Sequence, residues 1–212
     1  MMPARLGVFG ATAGALLLFA TDPGAQTMPG QIPTPAKVAD FTLIDAQQQQ
    51  PHELYKMASD KAVVLVSTGV GCPIARSMTP VIKALRDKYA AKGVEVMMVD
   101  SNLQDSRAAI AAEAKEFGID IPILMDKTQA VGEALGVTRT AEVFVVTPKT
   151  WKIAYHGPLD DRSDYGASKA SSKAFADVAI TAVLAGQPAP AATQASKGCL
   201  IDFPAPVRTA KS

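Results

Sequence analysis

Only two residues in this 212-residue chain can act as soft nucleophiles, Cys72 and Cys199. Cys72 lies in STGVGCPIAR, residues 67–76, between an apolar β-branched run and a helical pattern. With Pro73 at a first helical position, the sulfur meets unpaired amides and the positive end of the helix dipole, which favour thiolate over thiol. The flanking Gly69 and Gly71 predict an open backbone and an exposed, reactive sulfur, against the alternative of an inert buried thiol. Arg76, one turn into the helix, is a candidate for holding the thiolate or a substrate anion, against a solvated surface charge.

The elements that must position this thiol follow from periodicity. Residues 41–45 suggest a short strand, ended by the polar tract 47–50. Residues 62–67 (AVVLVS) form a β-branched run of strand length that reads as buried on both faces. Ile74, Met78, Val81, Ile82, Leu85 and Tyr89 give the spacing of an amphipathic helix ending near Gly93, with a kink expected at Pro80. Strands are expected over 94–99 and 121–125, with helices over 106–117 and 128–135 closed by Gly118 and Gly136. Residues 142–146 and 152–155 flank Thr147-Pro148-Lys149-Thr150 as a hairpin, and a helix is expected over 171–184. Strands alternating with helices, then a terminal hairpin, predict an α/β fold: a mixed central β-sheet covered by helices on both faces.

The ends read differently. Arg5 and the apolar run 6–20 resemble an export signal and are short for a membrane span, so a signal peptide is expected over 1–26, against an uncleaved anchor. The proline-rich stretch 27–37 reads as an extended lead-in, 38–186 as the domain, and 187–212 as a tether and tail carrying Cys199. Export to the periplasm or beyond would place the two cysteines where a disulfide persists. With 21 basic and 20 acidic residues, no field gathers nucleic acid or an anionic membrane, and neither is expected as a partner. No membrane span is expected after cleavage.

The segments ADFTLID, VVLVSTGVGCP, FGIDIPILMD, GVTRTAEVFVV, IAYHGPLDD and KGCLIDF, in this order, resemble the thioredoxin-like superfamily. The likeness is greatest to its peroxiredoxin-like, AhpC/TSA-type redoxin branch and runs from about residue 38 to residue 203. It implies a thioredoxin-like fold. In the C-x-x-C frame of thioredoxins, Cys72 takes the attacking position and Ala75 the resolving one. In the P-x-x-x-T-x-x-C frame of peroxiredoxins, Thr68, Cys72 and Ala75 fall where proline, threonine and the nucleophile belong, so a typical peroxidase is disfavoured. A copper chaperone of the Sco type needs C-x-x-x-C and a distal histidine, yet Arg76 stands at its second cysteine; no metal or other cofactor is expected.

The resemblance also implies a loop facing Cys72 at Thr140-Ala141-Glu142, where relatives carry Thr-Pro with a cis-proline. Ala141 predicts a trans bond, because cis without proline costs about 2.5–4 kcal/mol. Thr68, Pro73, Arg76, Arg139, Ala141 and Glu142 are thus the candidates for supporting the thiolate or a substrate. Family members similarly carry a cysteine near the C-terminus, so Cys199 is the candidate resolving cysteine, or one end of a permanent staple. The expected function is an exported thiol–disulfide oxidoreductase acting on a thiol or disulfide substrate, with a protein electron donor as one option. An atypical thiol peroxidase and a non-catalytic binding module with a structural disulfide are the alternatives.

Overall fold

The computed structural model describes residues 36–162 and 173–204. The expected signal peptide and nearly all of the lead-in lie outside the described residues, as do the first residues of the helix expected from 171 and the end of the tail. Among the described residues, seven strands and four α-helices follow one another as β1 (Thr42–Asp45), β2 (Pro51–Glu53), β3 (Ala62–Thr68), α1 (Pro73–Ala90), β4 (Val94–Asp100), α2 (Arg107–Glu116), β5 (Ile123–Met125), α3 (Ala130–Leu135), β6 (Glu142–Thr147), β7 (Lys152–Pro158) and α4 (Phe175–Leu184). A 3₁₀ turn, Leu54–Met57, follows β2. Among the described residues no helix is long and apolar enough to cross a membrane.

The strands form one mixed sheet in the order β2-β1-β5-β4-β3-β6-β7. The central strand β3 runs parallel to β4 and antiparallel to β6. Its β-branched residues are buried throughout because alternate side chains serve two cores. Val64 and Val66 pack with α1, α2 and α4, whereas Val63 and Leu65 pack with α3 on the other side. That is the layered α/β sandwich expected of the thioredoxin-like fold.

One element departs from expectation. β2 goes unread because three residues opening on a proline show no alternation, yet His52 pairs with Leu43 at this edge of the sheet. The helix α1 runs unbroken through Pro80, with Ile74, Met78, Ile82, Leu85 and Tyr89 buried on one face. At the opposite edge, β7 is partly covered by the incoming chain: Lys37 bridges Lys152, and the Val38 amide donates to the Trp151 carbonyl at 2.8 Å. Trp151 itself stacks on Tyr55, ring centroids 4.2 Å apart.

Candidate active site

The site forms where β3 ends and α1 begins. Gly71 takes φ +79°, a left-handed conformation that turns the chain into the helix, and Cys72 is the N-cap residue with Pro73 at the helix start. Consecutive amides of the turn are held by carboxylates: Val70 donates to Asp105 at 2.8 Å and Gly71 to Glu113 at 2.7 Å. Glu113 also takes the Arg76 guanidinium at 2.7 Å, and that guanidinium lies over the Phe117 ring. Arg76 thus fixes the loop through Glu113 and makes no hydrogen bond to the thiol, with which it interacts through charge.

Cys72 is 3 % exposed, a correction to the open sulfur expected from its glycines. Gly69 is packed rather than open, since a Cβ there would lie 2.4 Å from the Asn102 amide nitrogen. Polar groups nonetheless meet the sulfur. Thr140 Oγ1 lies 2.9 Å from it, and the same oxygen accepts the Cys199 backbone amide at 2.9 Å; its hydroxyl proton can be donated to a Cys72 thiolate. The Cys199 backbone is thereby tied to the group that touches the sulfur. Burial pushes the Cys72 pKa up, but the Cys199 thiol, the Thr140 hydroxyl and the Ala75 amide outweigh it and hold it below an ordinary thiol. The Cys199 thiol is pushed up, first by its hydrogen bond to Cys72 and then by burial. Both cysteines are free thiols here, Cys72 buried and Cys199 exposed.

The loop before β6 carries the other half of the site. The Ala141 amide donates to the Ser67 carbonyl at 2.6 Å, and Ala141 adopts φ +62°. No peptide bond among the described residues is cis, in keeping with the expected trans link. Glu142 was expected to tune the thiol, but its carboxylate turns away from it. It accepts from the Arg139 amide at 3.0 Å, the Thr138 amide at 3.3 Å and the Thr138 hydroxyl at 2.5 Å, and pairs with His156 at 2.9 Å. Glu142 therefore shapes the loop that presents Thr140. Arg139 donates to the Gly198 carbonyl at 3.2 Å and so holds the tail rather than the sulfur. Thr68 is buried at the end of β3, its carbonyl accepting from Asn102 at 3.0 Å, and no hydrogen bond joins it to Cys72.

The tail is not a loose tether where it matters. Thr140 and Cys199 pair backbone to backbone at 2.9 Å, and the Ile201 amide donates to the Thr138 carbonyl at 3.0 Å, so 199–201 lies antiparallel along the loop. Gly198 permits this approach: a Cβ there would sit 1.8 Å from the Thr140 carbonyl oxygen. Sequence reasoning missed Thr140 as a site residue, and it missed Asp100, Asn102 and Asp105 beneath the turn. Their signal was position, polar residues directly after a buried strand at the carboxyl end of the sheet. Asp100 is buried and its pKa is pushed up to about 7, chiefly by burial, with the Asp105 charge adding and the Asn102 donors opposing. No cluster of three or more histidine, cysteine or acidic residues among the described residues is arranged to hold a metal.

Comparison with known proteins agrees with this architecture. A hypothetical protein from Sinorhizobium meliloti 1021 is 27 % identical, with a TM-score of 0.71 over 82 % of this chain and 96 % of its own. An uncharacterized conserved protein from Geobacillus kaustophilus is 25 % identical, with a TM-score of 0.71 over 84 % of this chain and 98 % of its own. Peroxidoxin BcpB from Mycobacterium tuberculosis shares the fold at 24 % identity and a TM-score of 0.53, over 72 % of this chain and 96 % of its own. No curated protein matches the chain. The Redoxin family model matches residues 34–178, a span that holds the Cys72 turn and the Thr140 loop, and on that match the chain belongs to the redoxin family.

Proposed function

We propose that this redoxin is a thiol–disulfide oxidoreductase in which Cys72 and Cys199 form a reversible couple. The observation that carries the reading is that one hydroxyl joins the two cysteines: Thr140 Oγ1 lies 2.9 Å from the Cys72 sulfur and accepts the Cys199 backbone amide at 2.9 Å, while the Cys72 pKa falls despite burial. Closure of the pair transfers two electrons to a disulfide substrate, and opening returns them from a donor thiol. Pro73 starts the helix whose amides face the sulfur, Ala141 and Glu142 shape the Thr140 loop, Arg139 holds the tail, and Thr68 and Arg76 fix the turn. The apolar run at residues 6–20 supports export to an oxidising compartment.

Intact mass after mild oxidation tests the couple, with Cys72→Ser and Cys199→Ser as controls. Loss of two hydrogens in the wild type alone is expected; two free thiols after oxidation would end the reading. A permanent staple is the second reading, and the firm pairing of 199–201 with the loop favours it. Redox titration separates the two: a potential below about −300 mV marks a staple and a higher one an exchanging couple.

A further inference from the structure

The two sulfurs of the proposed couple stand in opposite environments. Cys199 faces solvent, whereas Cys72 is buried in the core with α1, against the Thr140 hydroxyl that also holds the Cys199 amide. That segment is anchored on both sides of the exposed thiol. Ser196 donates to the Ala141 carbonyl at 3.0 Å and Arg139 to the Gly198 carbonyl at 3.2 Å. Beyond Cys199, Ile201 is buried in the α3-side core, and the Gln129 amide donates to the Asp202 carbonyl at 2.7 Å. A strand-like segment of the protein itself therefore lies along the 138–140 edge, and an extended polypeptide cannot pair there without displacing it.

We propose that the couple exchanges electrons with its surroundings at the Cys199 sulfur, and that the reductant it fits is a low-molecular-weight thiol, which reaches Cys199 without pairing to the 138–140 edge. This rests on the reading that Cys72 and Cys199 form a reversible disulfide, and it reverses the order expected from the sequence, in which Cys72 meets the substrate. In the oxidised protein a thiolate RS⁻ attacks Cys199 Sγ, the Cys72–Cys199 bond breaks, and Cys72 departs as thiolate with the electron pair. A second RS⁻ attacks the outer sulfur of the Cys199 mixed disulfide, releasing RSSR and a Cys199 thiolate that takes a proton from solvent. Two thiols are oxidised to one disulfide and the protein disulfide is reduced. Access selects Cys199 as the attacked sulfur. The leaving group is the sulfur supported by the Thr140 hydroxyl, and thiols of lower pKa leave faster.

The test uses the full chain, oxidised, freed of oxidant, exposed briefly to limiting glutathione, quenched with N-ethylmaleimide and mapped by peptide mass spectrometry. Glutathione is expected on Cys199 and maleimide on Cys72, in roughly tenfold or greater excess over the reverse pattern. Glutathione mainly on Cys72, or shared evenly, overturns the proposal while leaving the couple intact. Two free thiols after the oxidation step would instead remove the couple itself, and this proposal with it. In Gly198→Ala, whose new methyl drives the segment off Thr140, glutathione on Cys72 is expected to rise severalfold; an unchanged distribution would show that the segment does not direct the reagent.

Discussion

Asp100→Asn gives the sharpest test of the electrostatics beneath the active-site turn. One Asp100 oxygen accepts the Asn102 backbone and side-chain amides, both at 2.9 Å, while the other finds no donor and has the Asp105 carboxyl close by. A proton on Asp100 relieves both conditions, and its pKa accordingly rises from 3.8 to about 7. For an acid raised in this way the native state binds more protons than the unfolded chain. Stability from this group is therefore greatest below the unfolded pKa, falls as pH climbs through the interval between the two values, and levels off above the folded one. A displacement of about three units corresponds to about 4 kcal/mol in full, of which about 3 kcal/mol develops from about pH 5 to about pH 8. Asparagine keeps the shape and cannot ionise, so subtracting the two proteins' denaturation free energies cancels the titrating groups that do not interact with Asp100. The variant should gain about 3 kcal/mol on the wild type over that window, measured by urea unfolding at closely spaced pH values. A difference that stays flat across it would refute the assignment of a buried, protonated Asp100.

The remaining predictions concern the loops that meet at the sulfur. Thr140→Val removes the hydroxyl donor and should raise the Cys72 pKa, read from the pH dependence of thiolate absorbance in a Cys199→Ala background; an unmoved titration would show that the hydroxyl gives the thiolate no support. Glu142→Gln weakens the acceptor for the 138–139 amides and should cost roughly 1–3 kcal/mol, checked by thermal and urea unfolding. Gly71→Ala meets no atom within 4 Å yet must keep a left-handed φ. It should therefore cost about 1–2 kcal/mol from backbone strain alone, measured the same way.

The position of Cys72 was legible because its determinants are local: a buried β-branched strand, flanking glycines and a proline suited to a first helical position. The sandwich followed from alternating periodicities, and the strand expected over 94–99 is found as β4. Exposure of the sulfur was not legible. The groups that meet it lie far off in sequence, Thr140 on the loop before β6 and Cys199 more than a hundred residues away, and the alanine- and proline-rich composition of 187–195 gives no hint that the chain becomes anchored immediately afterwards. The pairing of Arg76 with Glu113 was hidden for the same reason, because the two charges sit on different helices. Thr140 carries no signal of its own in the sequence beyond standing beside the missing proline, although its hydroxyl is what touches the sulfur.

The boundaries of the sheet carry a consequence for how copies of this protein meet. One outermost strand is only three residues long and opens on a proline that has no hydrogen to offer, and the other is bridged by the chain's own entry segment and closes on a second proline. Short, proline-marked margins of this kind make poor templates for ladder growth between molecules. Crowding such a protein to high concentration should therefore not seed cross-molecular sheets from its rims.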